Sequence, residues 1–338
     1  MGVMIDGVWH AEEPVSGSAD DGIYRRSVSS FRNWITQDGA PGTDDCDGGF
    51  AAEVGRYHLY VAVGCPWAHR TMIVRVLKSL ENTVSLDMVL PRRSPEGWVF
   101  AAAPHKHSDS LFGSHALHEI YRAANPDFSG RVTVPVLWDK KRQIIVNNES
   151  SEIIRMLNSA FDNVGARGPD IYPADLRAEI DALNERVYRN VNNGVYRTGF
   201  ARSQEAYEKA FDDLFEALDM LEERLATRRY LCGAKPCEAD WRLFPTLMRF
   251  DVAYFGAFKC NLRRIQDYPN LWGYVRELYQ MPGISQTCDP AAYKSGYYSI
   301  SKECNPLGII PKGPAIDFTT PHGRGRLNGE AERTAAAS

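Results

Sequence analysis

The sequence predicts a small α/β domain followed by an all-α domain. Three observations carry this expectation. Between residues 57 and 161, short β-branched and apolar runs alternate with helix-period segments in the order β-α-β-α-β-β-α. Gly165, Gly168, Pro169 and Pro173 then punctuate the chain as a linker. Beyond that linker the strong apolar patterns have helical period.

In order, residues 1–55 read as an N-terminal extension rich in Gly, Asp and Ser, wrapped on the surface, with an aromatic patch from Ser30 to Ile35 as its anchor. Tyr57 to Val63 is the first strand. Gly64 breaks it, and Pro66 opens a helix whose apolar positions are Trp67, Ile73, Val74, Leu77 and Leu80. Val84 to Leu90 is a second strand, parallel to the first because a helix connects them. A long loop over 91–113 carries Trp98, and long loops inside compact domains are often functional. A helix over 114–124 follows.

Arg131 to Leu137 reads as a third strand, whose Pro135 requires an edge or a bulge and whose Val134–Pro135 bond is a candidate cis peptide. Residues 143–146 are its hairpin partner. Ser150 or Ser151 caps the next helix, which runs to Phe161. This gives a first domain over 56–165 and a second over 172–289. The second has apolar faces at Leu176, Ile180, Leu183, Val187 and Val191, and at Phe211, Leu214, Leu218, Leu221 and Leu225. A helix from Glu238 to Phe255 should kink at Pro245, and a shorter one spans 271–279. Residues 290–338 read as a Pro- and Gly-containing tail, disordered beyond His322.

Composition narrows the function. The net charge is −4 with both signs interspersed, which speaks against nucleic acid or an acidic membrane surface as partner. No apolar run is long enough to span a bilayer, and the N-terminus lacks the features of a signal peptide. Seven cysteines are scattered with no Cys-X-X-Cys pair, which fits a reducing cytoplasm.

The chemistry centres on Cys65. It lies at a strand-to-helix turn, where backbone N–H groups and the helix dipole favour a thiolate. The motif is Cys65-Pro66-Trp67-Ala68, and Ala68 stands where a resolving cysteine would be. Redox work at Cys65 therefore needs a thiol from outside, and glutathione is the obvious small candidate. The bland alternative is an inert buried cysteine in a βα turn.

Five segments, in order, resemble the glutathionyl-hydroquinone reductases, the Xi class of thioredoxin-fold glutathione transferases. They are Cys65 to Arg70, Val132 to Leu137, Asn147 to Ser150, Val191 to Phe200, and Gln280 to Gly283. The resemblance implies a thioredoxin-like N-terminal domain followed by an all-α glutathione-transferase domain. It implies glutathione as co-substrate, no metal, and a homodimer. By position, Cys65 matches the nucleophile, Trp98 a residue packing on glutathione, and Arg131, Val132, Thr133 and Val134 the backbone that pairs with the tripeptide. Glu149 and Ser150 match the pair holding the γ-glutamyl end. Tyr196 matches the general acid, and Tyr254 and Tyr297 the supporting tyrosines, with Tyr298 adjacent to the last.

The activity so implied is the reduction of glutathionyl-hydroquinones through a Cys65–glutathione mixed disulfide. Two other readings stay open: an Omega-like thioltransferase or dehydroascorbate reductase, and a non-catalytic binding module of the same fold. One departure stands out. Such transferases usually cap the central helix of the second domain with Ser or Thr, whereas here the box reads Cys237-Glu238-Ala239-Asp240, and a thiol is a poor acceptor.

Overall fold

The computed structural model describes residues 2–11, 21–43, 46–300 and 304–327. The chain divides into two compact units, and each is interrupted in sequence.

The first unit holds a four-stranded mixed sheet in the order β4-β3-β5-β6. Its strands are β3 (Tyr57–Val61), β4 (Ser85–Met88), β5 (Val136–Asp139) and β6 (Ile144–Asn147). As the intervening helix α1 (Pro66–Leu77) requires, β3 and β4 are parallel; the β3–β5 and β5–β6 pairs are antiparallel. All five residues of β3 are buried, as befits an interior strand. Two further helices, α2 (Leu117–Ala124) and α3 (Ser150–Ser159), complete the layers, with α3 packed beside α1.

The third strand is shorter than expected, and it is interior rather than at an edge. Pro135 has no N–H to give a ladder, so pairing starts only at Val136, and residues 131–135 run outside the sheet. The Val134–Pro135 bond is cis.

The N-terminal extension is more structured than its composition suggests. It forms a hairpin of β1 (Val3–Ile5) and β2 (Val8–His10). Both turn residues, Asp6 and Gly7, have positive φ, the geometry an Asp-Gly hairpin turn demands. The hairpin is tied down by mutual backbone bonds between Met4 and Gly130, and by the Trp9 indole donating to the Pro95 carbonyl. The aromatic patch does anchor the extension: the Phe31 ring lies 5.8 Å from Tyr121 and 5.4 Å from Phe128.

The second unit is helical. It comprises α4 (Arg177–Val187), α5 (Gly194–Gly199), α6 (Gln204–Thr227), α7 (Glu238–Arg249), the short α8 (Phe255–Ala257) and α9 (Pro269–Tyr279). The sequence-based helices ending near Val191 and Phe255 are each interrupted by a π turn, at Tyr188–Asn192 and Phe250–Tyr254. Asn192 in the first of these donates to the Arg242 carbonyl and to the Thr246 hydroxyl, linking it to α7.

The region beyond Pro290 is not simply a tail. Pro290–Tyr297 is a helix, α10, and residues 291–300 belong to the first unit. Farther on, Arg324 is buried in the helical unit, where it donates to the carbonyls of Leu225, Arg228 and Arg229 at the end of α6. The Leu225 and Arg228 carbonyls are among those a helix C-terminus leaves unpaired, so one guanidinium closes α6 and holds residues 324–327 in place of the disorder expected after His322; residues 328–338 of that expectation lie outside the described residues.

Candidate active site

Cys65 is the N-cap of α1. Its backbone is extended (φ −83°, ψ 122°), its N–H bonds the Ala62 carbonyl, and its C=O accepts the first helical bond from His69. Pro66 fills the first helical position, where a missing N–H costs nothing. The Cys65 side chain makes no capping bond, so its sulfur is left for other work. The half-buried Sγ lies 3.7 Å from the carbonyl oxygen of Val134, the residue preceding the cis proline.

Among residues 131–134, Thr133 turns away from this role. Its N–H donates to the Tyr121 hydroxyl, which in turn donates to the Thr133 carbonyl. Its backbone groups are thus spent inside the protein, and Val134 is the residue whose carbonyl meets the sulfur. Arg131 and Val132 lie half-buried on the same extended stretch.

Glu149 is the N-cap of α3, where the sequence suggested Ser150 or Ser151. The physical reason is reach: its Oε1 accepts from both the N–H and the hydroxyl of Ser151. Burial alone would push the Glu149 carboxyl up. The Ser151 bonds, a bond from the Ser29 hydroxyl and the Arg70 charge outweigh it and hold the carboxyl below its usual range. Ser150 is buried and accepts at 3.5 Å from Arg70 Nη1.

Trp98 sits in the long loop, 7% exposed, with the Arg93 guanidinium 4.3 Å from its ring centroid. That loop is ordered by Asp109, whose carboxylate accepts from the Tyr60 hydroxyl and from the N–H groups of Leu111, Phe112 and Ser114. Tyr297 is buried on α10 and Tyr298 is half-exposed. α10 lies close to the Cys65 turn: a Cβ on Gly296 would sit 3.1 Å from the Pro91 carbonyl, and Gly64 approaches the Ala292 carbonyl.

The first unit therefore brings Cys65, Val134, Glu149, Ser150, Trp98 and Tyr297 into one fold unit. Tyr196 and Tyr254 belong to the helical unit, where their rings lie 6.1 Å apart in an aromatic cluster with Phe200 and Phe258. Each follows or ends a π turn, a device that re-aims side chains and recurs at functional sites.

Sequence reading missed the two guanidiniums flanking Trp67: Arg26 at 4.3 Å and Arg70 at 4.6 Å from its ring. Arg70 stood in the quoted motif. Arg26, forty-one positions before Trp67, offered no local signal. Among the described residues there is no group of three or more His, Cys, Asp and Glu able to hold a metal ion, and no helix is long and apolar enough to cross a membrane.

A helix-start cysteine beside a cis proline on a four-stranded mixed sheet, with helices following, defines a thioredoxin-like domain joined to an all-α domain. The chain belongs to the glutathione S-transferase family. The family's models described as Glutathione S-transferase, N-terminal domain and C-terminal domain match residues 64–160 and 204–277. The chain is 51% identical to the glutathionyl-hydroquinone reductase YqjG of Escherichia coli, across 96% of this chain and 98% of that protein. It is 49% identical to the glutathionyl-hydroquinone reductase PcpF of Sphingobium chlorophenolicum, across 93% and 97%. The glutathione-bound structure of YqjG superposes with a TM-score of 0.88 over 96% of this chain and 99% of that one, at 49% identity. A Xi-class transferase from Natrialba magadii gives 0.88 at 41% identity, over 98% of both chains.

Proposed function

We infer that this protein reduces glutathionyl-hydroquinones to hydroquinones with glutathione as co-substrate. The observation that carries this reading is the Cys65 turn: a sulfur that the helix start does not consume, with Ala68 rather than a second thiol at the end of the four-residue motif. The full-length likeness to two glutathionyl-hydroquinone reductases supports the choice of substrate.

Cys65, as thiolate, attacks the sulfur of the glutathione joined to the ring. The sulfur–carbon bond breaks, its electron pair goes to the ring carbon, and a proton is taken up there. The keto tautomer of the ring makes that carbon a better leaving group, and Tyr196 serves as the acid that manages the ring proton. Hydroquinone leaves, and Cys65 carries glutathione as a mixed disulfide. A second glutathione thiolate attacks the mixed disulfide, releasing glutathione disulfide and restoring Cys65. Tyr254 and Tyr297 support this chemistry. Trp98 and the backbone of Arg131, Val132 and Val134 receive the tripeptide, while Thr133 keeps its N–H and C=O on the Tyr121 hydroxyl. Glu149 takes its ammonium group, and Ser150 with the α3 start takes its γ-glutamyl carboxylate. The homodimer implied by the family resemblance and the cytoplasmic location suggested by the scattered cysteines belong to the same reading.

The test is direct. Purified protein with glutathione is given a glutathionyl-hydroquinone and, separately, hydroxyethyl disulfide. Turnover of the first is the expected result. Turnover of the disulfide alone would make the protein a thioltransferase, and turnover of neither would make it a binding module.

A further inference from the structure

The N-terminal segment reaches the glutathione site. Residues 31 and 32 run antiparallel to the start of α3: the Phe31 N–H donates to Asn148 Oδ1, the Asn148 N–H donates to the Phe31 carbonyl, and Arg32 bridges to Asn147. Arg32 also forms an ion pair with Glu152. This pairing carries Ser29 to the Glu149 carboxylate, where its hydroxyl donates to Oε2 at 3.0 Å.

The two oxygens of Glu149 are then unequal. Oε1 accepts from the Ser151 N–H at 3.1 Å and the Ser151 hydroxyl at 2.9 Å, which fills both of its acceptor positions. Oε2 accepts, among the described residues, from Ser29 alone. One acceptor position is left on Oε2, and its direction depends on where Ser29 holds that oxygen. The last torsion of a glutamate is intrinsically broad, so without such a hold the carboxylate plane is poorly fixed. The Arg70 and Arg32 charges also bear on Glu149, but the hydrogen bond to Oε2 comes from Ser29.

We propose that Ser29, supplied by the N-terminal segment, is a positioning residue for the ammonium end of glutathione, acting by fixing Glu149 Oε2 as its acceptor. This rests on the reading that Glu149 takes the ammonium group. It gives the segment a chemical role in substrate recognition, beyond covering the sheet.

The experiment compares two ligands on the whole protein by calorimetry. One is S-methylglutathione. The other is its analogue with the α-amino group replaced by hydrogen; both are blocked at sulfur so that no exchange intervenes. The parent should bind the amino form more tightly. Ser29→Ala should weaken the amino form roughly three- to tenfold, the scale of one ordinary lost hydrogen bond, and the deaminated form less than twofold. Ser29→Thr, which keeps the hydroxyl, should restore binding. In turnover, KM for glutathione should rise more than kcat falls. Val28→Ala, at a neighbour 81% exposed, is the control for disturbance of the segment and should match the parent. Equal weakening of both ligands by Ser29→Ala would reduce Ser29 to a structural clip and overturn the proposal, as would no weakening at all. A parent that does not distinguish the two ligands would overturn the Glu149 reading and this proposal together.

Discussion

The Cys65 sulfur lies 3.7 Å from the Val134 carbonyl oxygen, with the thiol as donor. A mixed disulfide has no such proton, so the contact is surrendered when glutathione is attached. Cys65 is only half-buried and sits at a helix start, so treatment with glutathione disulfide should place glutathione on it first, as read by mass spectrometry of peptides. Cys232, Cys237 and Cys260 are buried and should lag. Cys65→Ser should abolish both hydroquinone and disulfide turnover. First labelling at half-buried Cys46, Cys288 or Cys304 would count against Cys65 as nucleophile.

Tyr196, as the proposed acid, should separate ring chemistry from disulfide exchange. Breaking a bond to an aromatic carbon needs proton transfer at the ring, which a positioned acid speeds by about 10²–10⁴-fold. Reduction of hydroxyethyl disulfide expels a thiolate and needs none. Tyr196→Phe should lose most hydroquinone turnover and keep most disulfide exchange. Equal losses on the two substrates would mean that Tyr196 serves the helical unit's aromatic cluster rather than the reaction.

Trp98 is 7% exposed and faces Arg93, so its emission should respond to charge brought beside that guanidinium. Glutathione carries two carboxylates. Adding it to Trp98→Phe should give a smaller fluorescence change than in the parent. The same change in both proteins would remove Trp98 from the site.

What could be read from the sequence was local. The Cys65 turn, the start of α3 and the Val134–Pro135 step each announce themselves within a few residues, because a proline or a capping side chain acts on its own neighbourhood. What could not be read was made by distant partners. Ser29 is meaningful only beside Glu149, 120 positions later. β1 and β2 are three residues each, and long-range bonds to Gly130 and Pro95 help hold them, although the Asp6-Gly7 turn was a signal available to a closer reading. Arg324 looked like part of a polar tail because nothing nearby reveals the carbonyls it closes.

Glu149 sets a pH limit that can be checked. Its carboxyl titrates below its ordinary 4.5 in the folded protein. The folded state therefore holds this proton less readily than the unfolded chain. The stability it contributes is complete above about pH 4.5 and is lost as the pH falls through the folded value. S-methylglutathione affinity should accordingly be the same at pH 5.5 and pH 7, within twofold. A loss well beyond twofold already at pH 6 would show a carboxyl raised by burial rather than lowered by its donors. Glu149→Gln should bind more weakly at both pH values.

Asp240 carries the capping box of α7. It accepts from the N–H groups of Leu231 and Cys237 and from the Tyr274 hydroxyl, all within the buried interior. Asp240→Ala would leave three buried donors unsatisfied and should cost at least about 3 kcal/mol in a denaturant melt. Cys237 makes no side-chain capping bond. Cys237→Ser places a competent acceptor in nearly the same volume and should stabilise the protein by roughly 1 kcal/mol. A lower melting temperature for the serine variant would show that the sulfur is valued as apolar filling.

The return of α10 to the first unit has a consequence for biosynthesis. Residues 291–300 emerge from the ribosome only after α4 to α9 have been made, yet they complete the wall beside Gly64 and Pro91. A nascent chain paused at residue 169 holds the whole sheet but lacks that wall. The nucleophile's surroundings are therefore finished late in translation, and a truncated transcript ending in the linker should yield a sheet without a competent thiol site.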